Sequence, residues 1–95
     1  MHPKAGGRVV LERELVSSDE VRYAAALYVP GAVWRGVATV TGGVVTFAAW
    51  SPAEGPPAWL VGFAAAFLRS EWKARQRPDA APWPQRINRW REEKP

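Results

Sequence analysis

The side chains best suited to binding chemistry are basic and aromatic, and the basic ones are concentrated toward the C-terminus. Residues 69–95 contain eight Arg or Lys against four acids, whereas residues 1–68 contain five of each, so the net charge of +4 lies in the C-terminal part. Cationic side chains contact phosphates and aromatic rings stack on bases, a mixture typical of proteins that bind single strands. The candidate nucleic-acid-binding residues are Arg35, Trp50, Lys73, Arg75, Arg77, Arg86, Arg89 and Arg91.

The aromatic residues in this pattern have a second interpretation. Trp83, Ile87 and Trp90 lie at i, i+4 and i+7, the spacing of one apolar stripe on a short helix. A helix of that length is unstable alone, so it must dock on the rest of the molecule. The two indoles are then packing contacts rather than stacking surfaces, and Arg35 beside Trp50 is an ordinary cation–π pair.

Residues for catalysis or metal binding are scarce. The chain has no cysteine and a single histidine, His2, which lies beside the first residue, where no neighbouring group would orient it. Glu12 and Glu14 form a carboxylate pair on one strand, but an ion pair of Glu14 with Arg22 is the expected role. We therefore expect a non-enzymatic protein with no catalytic residue, metal, cofactor or small-molecule substrate.

The elements that must position these residues begin with four strands. Apolar residues alternate with period two from residue 8 to residue 50, and turn residues divide that stretch into strands at 8–16, 21–29, 33–41 and 44–50. Gly42 and Gly43 form a two-residue hairpin loop, because glycine accepts positive φ angles without a steric cost. Residues 1–7 contain almost nothing apolar and are expected to be a disordered lead.

The strand registers define one apolar face, which we expect to be the core side. Counting from the hairpin places Arg35 opposite Trp50 on the other, outer face. The first connection has two alternatives, a four-residue loop at 17–20 or a three-residue loop at 17–19. We favour the three-residue loop, because it places Val9, Leu11 and Leu15 together on the core face.

Residues 57–77 are the only stretch long enough for a full helix. Every position from 58 to 68 is apolar, and charged residues follow from position 69. Trp59, Phe63 and Phe67 are spaced by four and are expected to enter the core above small residues of the sheet. Phe63→Ala is accordingly expected to be the most destabilising substitution.

The same helix has more apolar surface than one sheet face can cover. Val61, Gly62, Ala65 and Leu68 remain on its other side, and Gly62 would let another helix approach closely. We expect a homodimer formed through these four residues or through the partly apolar outer face of the sheet. The alternative is that the C-terminal segment of the same chain covers them.

The expected architecture is α+β: a four-stranded antiparallel meander followed by one long helix packed on one sheet face, plus a short C-terminal helical segment. Residues 8–77 form this ββββα domain, and residues 78–95 form a basic Trp/Arg-rich segment that docks on it. The element order resembles that of the coactivator-type single-stranded DNA-binding domains, which pair through their helices and bind on the sheet. The resemblance lies in element order and not in a sequence motif.

These features predict a small protein that binds single-stranded nucleic acid. The alternative is a protein-interaction or structural homodimer module with no nucleic-acid ligand. No stretch approaches the roughly 20 apolar residues of a membrane span. Residues 1–8 lack the apolar run of a signal peptide, so a cytoplasmic location without membrane contact is expected.

Overall fold

An antiparallel sheet with one helix on one face forms the fold, as described for residues 6–92 by a computed structural model. The elements in chain order are β1 (Gly6–Val16), β2 (Val21–Val29), β3 (Ala32–Thr41), β4 (Val44–Ser51), α1 (Ala58–Ala74) and β5 (Arg86–Glu92). The five strands are ordered β4-β3-β2-β1-β5. The α+β class and the first four strands are confirmed. Within residues 6–92, no helix has the length and apolarity needed to cross a membrane.

The C-terminal segment is a fifth strand, so the short helix expected there is wrong. β5 pairs antiparallel with β1, from Gly6 opposite Glu92 to Glu12 opposite Arg86. This pairing satisfies backbone groups along an edge of β1 that a docked helix would have left open. Gly6 and Gly7, expected in a disordered lead, belong to β1, and residues 1–5 of that lead lie outside the described residues.

The connection from β1 to β2 combines both loop lengths. Residues 17–20 form a four-residue loop with Val16 opposite Val21, yet Arg13 lies opposite Tyr23, as the three-residue loop requires. The two pairings coexist because the register shifts between Arg13 and Leu15, where a bulge absorbs the extra residue. The loop at 17–19 that we favoured is therefore wrong, although the register that it implied holds for most of β1.

The bulged residue is Glu14, and it reverses the faces of the residues that follow. Leu11, before the bulge, is fully buried as expected, but Leu15 lies opposite Arg22 and is 37% exposed. Arg22 forms an ion pair with Glu20 at 3.1 Å rather than with Glu14. The core position of Leu15 and the ion pair of Glu14 with Arg22 are therefore wrong, because one extra residue turns a strand over.

A second bulge turns Trp50 onto the helix side of the sheet. The register of β3 and β4 shifts after Arg35, so that Ala49 and Trp50 both lie opposite Gly36, and Ala49 has a φ of 60°. Trp50 packs over Gly36, where a Cβ atom would lie 2.7 Å from the indole, and it stacks on Phe47 with ring centroids 5.5 Å apart. The expected pairing of Arg35 with Trp50 on the outer face is wrong.

The buried stripe of α1 consists of Leu60, Ala64 and Leu68, which are spaced by four and have no exposed surface. Leu68 was expected at a dimer interface, and its burial in the core overturns that expectation. The helix ends at Ala74, three residues before the expected end. The sheet residues buried against the helix are Val9, Leu11, Val21, Tyr23, Ala25, Leu27, Ala38, Val40 and Ile87.

The helix aromatics lie beside this stripe and are only partly buried, so the expected orientation of α1 is wrong. Phe63 and Phe67 face β5, where the guanidinium groups of Arg91 and Arg89 lie 5.3 and 4.8 Å from their ring centroids. An aromatic ring under a cation keeps a favourable contact while remaining partly hydrated. Leu60 and Leu68, which have no ring for a cation to contact, occupy the centre of the core, where they have no exposed surface.

The segment between α1 and β5 is held against the sheet by polar contacts, two of which are partly buried. The Tyr23 hydroxyl donates a hydrogen bond to the carbonyl of Pro84 at 2.6 Å. Arg13 donates to the carbonyl of Trp83 at 2.7 Å and to the side-chain oxygen of Gln85 at 2.8 Å. These bonds determine where β5 begins, because they hold residues 83–85 beside β1.

The buried phenol of Tyr23 predicts a loss of stability at alkaline pH. Burial raises the pKa of Tyr23 to about 12 from the usual 10.0, although Arg13 and Arg75 act in the opposite direction. The unfolded chain releases this proton at lower pH than the folded chain. The contribution of protonated Tyr23 to the free energy of unfolding is therefore complete below about pH 10. It is lost as the pH rises toward about 12.

We expect the free energy of unfolding to fall by about 2 kcal/mol between about pH 9 and about pH 11.5 through this group. Urea titrations of the wild type and of Tyr23→Phe at both pH values measure the difference. The variant lacks the titrating group, so its stability should fall less over the same range. An equal fall in the free energy of unfolding of the two proteins would contradict the assignment of this pH dependence to Tyr23.

Candidate nucleic-acid interface

The sheet face opposite α1, called the outer face below, is not covered by any helix or strand within residues 6–92. Because side chains alternate along a strand, the residues between the core positions point to this face. Its centre consists of small or apolar side chains, and long side chains surround that centre. The central residues are Val10, Ala24, Ala26 and Val37, and the basic ones are Arg8, Arg22, Arg35 and Arg86.

Three side chains form a row across neighbouring strands of the outer face, called the aromatic row below. Arg8 of β1 lies opposite Tyr28 of β2 on one side and opposite Trp90 of β5 on the other. Directly opposed residues have Cβ atoms roughly 4.5–5.5 Å apart, so the three side chains are neighbours. Arg8 is exposed and Trp90 is 57% exposed. The row therefore presents a cation between two aromatic rings.

A glycine allows the indole of Trp90 to lie against the sheet. Gly6 is on the outer face of β1, and a Cβ atom built there would lie 3.0 Å from the Cζ2 atom of Trp90. A larger residue at this position would push the ring away from the strand. Gly6 thus supports the position of one end of the aromatic row.

Two shallow depressions adjoin Tyr28 on the outer face. The first has a volume of about 200 Å³ and lies between Tyr28 and Trp90, with Arg8 and Pro30 in its lining; we call it the Trp90 depression. The second has a volume of about 240 Å³, and we call it the alanine depression. Its lining includes Val10, Glu12, Ala24, Ala26, Arg35 and Arg86, together with Tyr28.

Among the side chains described for residues 6–91, those on the outer face carry an excess of positive charge. Glu12 forms an ion pair with Arg86 at 2.9 Å, and both side chains are more than half exposed. Exposed pairs of this kind contribute about 0–1 kcal/mol, so Arg86 can exchange its partner at little cost. Among side chains described for residues 6–91, neither Arg8 nor Arg35 has an acidic group within 4.0 Å. Arg8 donates a long hydrogen bond of 3.4 Å to the side-chain oxygen of exposed Asn88, which an anionic ligand can replace, and Arg35 is exposed on the same face.

The residues expected to bind nucleic acid do not form one site. Arg35 and Arg86 lie on the outer face and line the same depression. Trp50 lies on the helix side. Arg89 and Arg91 also lie on that side, over the rings of Phe67 and Phe63, because alternation along β5 separates them from Arg86.

The expected residues of the helix end are remote from the outer face. Arg75 forms an ion pair with Glu71 at 2.6 Å and lies 5.0 Å from the ring centroid of Trp83, so its charge is already engaged. Lys73 and Arg77 are exposed at and beyond the C-terminal end of α1. The structure therefore groups two of the eight expected residues with the aromatic row.

Arg8 is the member of this site that the sequence interpretation did not single out. The register preferred for β1 and β2 places Arg8 opposite Tyr28, so that pair was available from the sequence. Trp90 had two open interpretations, a stacking ring among the arginines or part of a helical stripe with Trp83 and Ile87. In the strand, Ile87 is 2% exposed in the core, whereas Trp90 points to the opposite face.

A larger depression lies elsewhere, at the end of the sheet near the C-terminus of α1. It has a volume of about 460 Å³ and is lined by the 17–20 loop, Trp72, Arg75 and Trp83. Its charged groups are largely engaged, because Arg75 pairs with Glu71 and Glu20 pairs with Arg22. Within residues 6–92, no group of three or more His, Cys, Asp or Glu side chains is placed to hold a metal ion.

Comparisons of the chain with protein-family models, with curated proteins and with solved structures find no match. The assignment of a function therefore depends on the outer face and its chemistry.

Proposed function

We propose that this protein binds single-stranded nucleic acid on the outer face of its sheet. Tyr28 and Trp90 stack on bases, Arg8 contacts phosphates, and Arg35 and Arg86 contact phosphates or base edges. The observation that carries the proposal is the aromatic row, in which Arg8 lies between the two rings on an uncovered face. Aromatic side chains on a sheet, with cations between them, are a recurring arrangement for holding unstacked bases.

The exposure of the aromatic row favours a single strand over a duplex. A ring can stack on a base only where that base is splayed out, which in nucleic acids is the property of single strands, loops and ends. Within the part of the chain that the structure describes, the outer face also lacks a protruding helix that could enter the major groove of a duplex. Both features point to a ligand with accessible base faces.

Fluorescence polarisation with a labelled single-stranded DNA of about ten nucleotides at low salt tests the proposal. Removing one stacking ring should cost about 1–3 kcal/mol, so Tyr28→Ala and Trp90→Ala should each weaken binding by roughly 5-fold to 150-fold. Arg8→Ala should weaken binding and reduce the slope of log affinity against log salt by about 0.7, the value for one phosphate on a single strand.

Arg77→Ala is the matched control for Arg8→Ala, because it removes an equally exposed arginine far from the outer face. At about 0.15 M salt it should leave the affinity within about twofold of the wild type, since charges more than about 8 Å apart are largely screened there. A loss as large as that of Arg8→Ala would locate binding at the helix end instead. An RNA strand of the same sequence distinguishes the two nucleic acids.

A homodimer module is the second candidate function, and the exposed side of α1 favours it. Ala58, Gly62 and Ala66 are small, exposed and spaced by four, so a second helix could approach closely along them. Val61 and Ala65 are partly buried beside this line and would extend the contact. The absence of nucleic-acid binding at low salt, with sedimentation above the 10.5 kDa of one chain, would favour this candidate.

A further inference from the structure

We infer that the outer face binds two consecutive nucleobases, one in the Trp90 depression and one in the alanine depression, with Tyr28 between them. The inference rests on the proposed function and specifies how many bases the face holds and where. Tyr28 is the residue with a side chain that lines both depressions. A base in either depression therefore contacts the same phenol ring.

The sizes of the depressions limit what each can hold. Their volumes of about 200 and 240 Å³ are below the roughly 300–1,000 Å³ of sites for drug-sized ligands. Each depression accommodates a single planar ring system rather than a larger ligand. Two adjacent depressions that share a wall then suit two neighbouring units of one chain.

The two depressions differ in what they can recognise. The Trp90 depression offers two aromatic rings and the guanidinium of Arg8, which only donates hydrogen bonds. Stacking of this kind tolerates any base, since every base has a π face. The first base is therefore held without strong discrimination.

The alanine depression combines methyl groups with groups of both polarities. Ala24 and Ala26 line it beside Glu12, which accepts hydrogen bonds, and beside Arg35 and Arg86, which donate them. Donors and acceptors at one wall can read the edge of a base, as carboxylates do with the amino group of cytosine. The second base is therefore the one that this face discriminates.

A substitution that fills only the alanine depression distinguishes the contributions of the two bases to the affinity. Ala24→Leu adds a larger side chain there, because Ala24 lines this depression, is partly exposed and does not line the other. Ala48→Leu is the matched control: Ala48 lies on the outer face of β4, opposite Val37, and lines neither depression. Both variants should keep the urea midpoint of the wild type if the fold is intact.

The experiment measures the affinity of six-nucleotide DNA strands at low salt, with abasic sites at all but one position or at all but two adjacent positions. All strands carry the same phosphates, so the difference between them reports the bases alone. A second adjacent base should raise the affinity about tenfold in the wild type and in Ala48→Leu. Ala24→Leu should lose that gain while binding the one-base strand normally.

A third strand, with its two bases separated by three abasic sites, tests the inference on the wild type alone. It should bind about tenfold more weakly than the strand with adjacent bases, since a distant base cannot reach the shared ring. Equal affinity for the two strands, or an undiminished gain in Ala24→Leu, would overturn the two-base arrangement. No binding of a six-nucleotide strand with all its bases would instead overturn the proposed function.

Discussion

Deletion of residues 79–95 is expected to abolish cooperative folding, because β5 is part of the sheet and not an appendage. The deletion removes Ile87, which is 2% exposed in the core, and the backbone pairing along one edge of β1. Loss of a buried Ile side chain costs about 2–5 kcal/mol. The deletion also leaves the buried Tyr23 hydroxyl without its acceptor at Pro84, which costs about 1–3 kcal/mol more.

These losses are comparable with the whole stability of a small domain, about 5–15 kcal/mol. Thermal unfolding followed by far-ultraviolet circular dichroism measures the effect, and the shortened chain should show no sigmoidal transition. Deletion of residues 93–95 alone is the control, since it leaves β5 whole, and its transition should stay close to that of the wild type. A cooperative transition within a few degrees of the wild type in the 1–78 chain would contradict the role of β5.

Leu60→Ala is expected to lower the free energy of unfolding by about 2–5 kcal/mol, more than Phe63→Ala does. Leu60 has no exposed surface and packs among sheet residues that cannot close the resulting cavity. Phe63 is only partly buried and faces solvent and Arg91, so its truncation removes less packing. Urea denaturation with an unchanged slope against denaturant gives the comparison directly.

Val44→Ala serves as the control for the loss of an aliphatic group without burial. Val44 is 61% exposed, and surface substitutions of this kind change stability by about 0.5 kcal/mol or less. The order of the three variants locates the face of α1 that enters the core. A larger loss for Phe63→Ala than for Leu60→Ala would restore the orientation that helical spacing alone predicts.

The first four strands could be predicted because their signals are local. Alternation with period two and the glycine pair at 42–43 define strands and a hairpin without reference to distant residues. The bulges at Glu14 and Ala49 could not be predicted in this way. A register counted from a turn assumes that each residue of one strand lies opposite one residue of the next, and a bulge breaks that rule. The second bulge moved Trp50 to the other face and removed it from the expected site.

The fifth strand could not be predicted for a different reason. The segment from Trp83 onward carries a helical spacing, through Trp83, Ile87 and Trp90, whereas as a strand it places Ile87 and Trp90 on opposite faces and shows no apolar alternation of period two. The choice between helix and strand depends on the open edge of β1, which is distant in the sequence. Part of the candidate site was accordingly visible beforehand: Arg35 was placed on the outer face and Arg86 among the binding residues, whereas the face of Trp90 depended on the fifth strand.

The pairing of β5 with β1 also leaves the opposite edge of β5 as a boundary of the sheet, where a strand from another chain could add. An antiparallel approach of two copies centred on Trp90 would set Arg89 of each copy opposite Arg91 of the other, both on the helix side, and like charges in that position repel. The other boundary, β4, is interrupted by the bulge at Ala49. The arginines of β5 thus have a protective role independent of any ligand, since they oppose the edge-to-edge growth that leads to fibres.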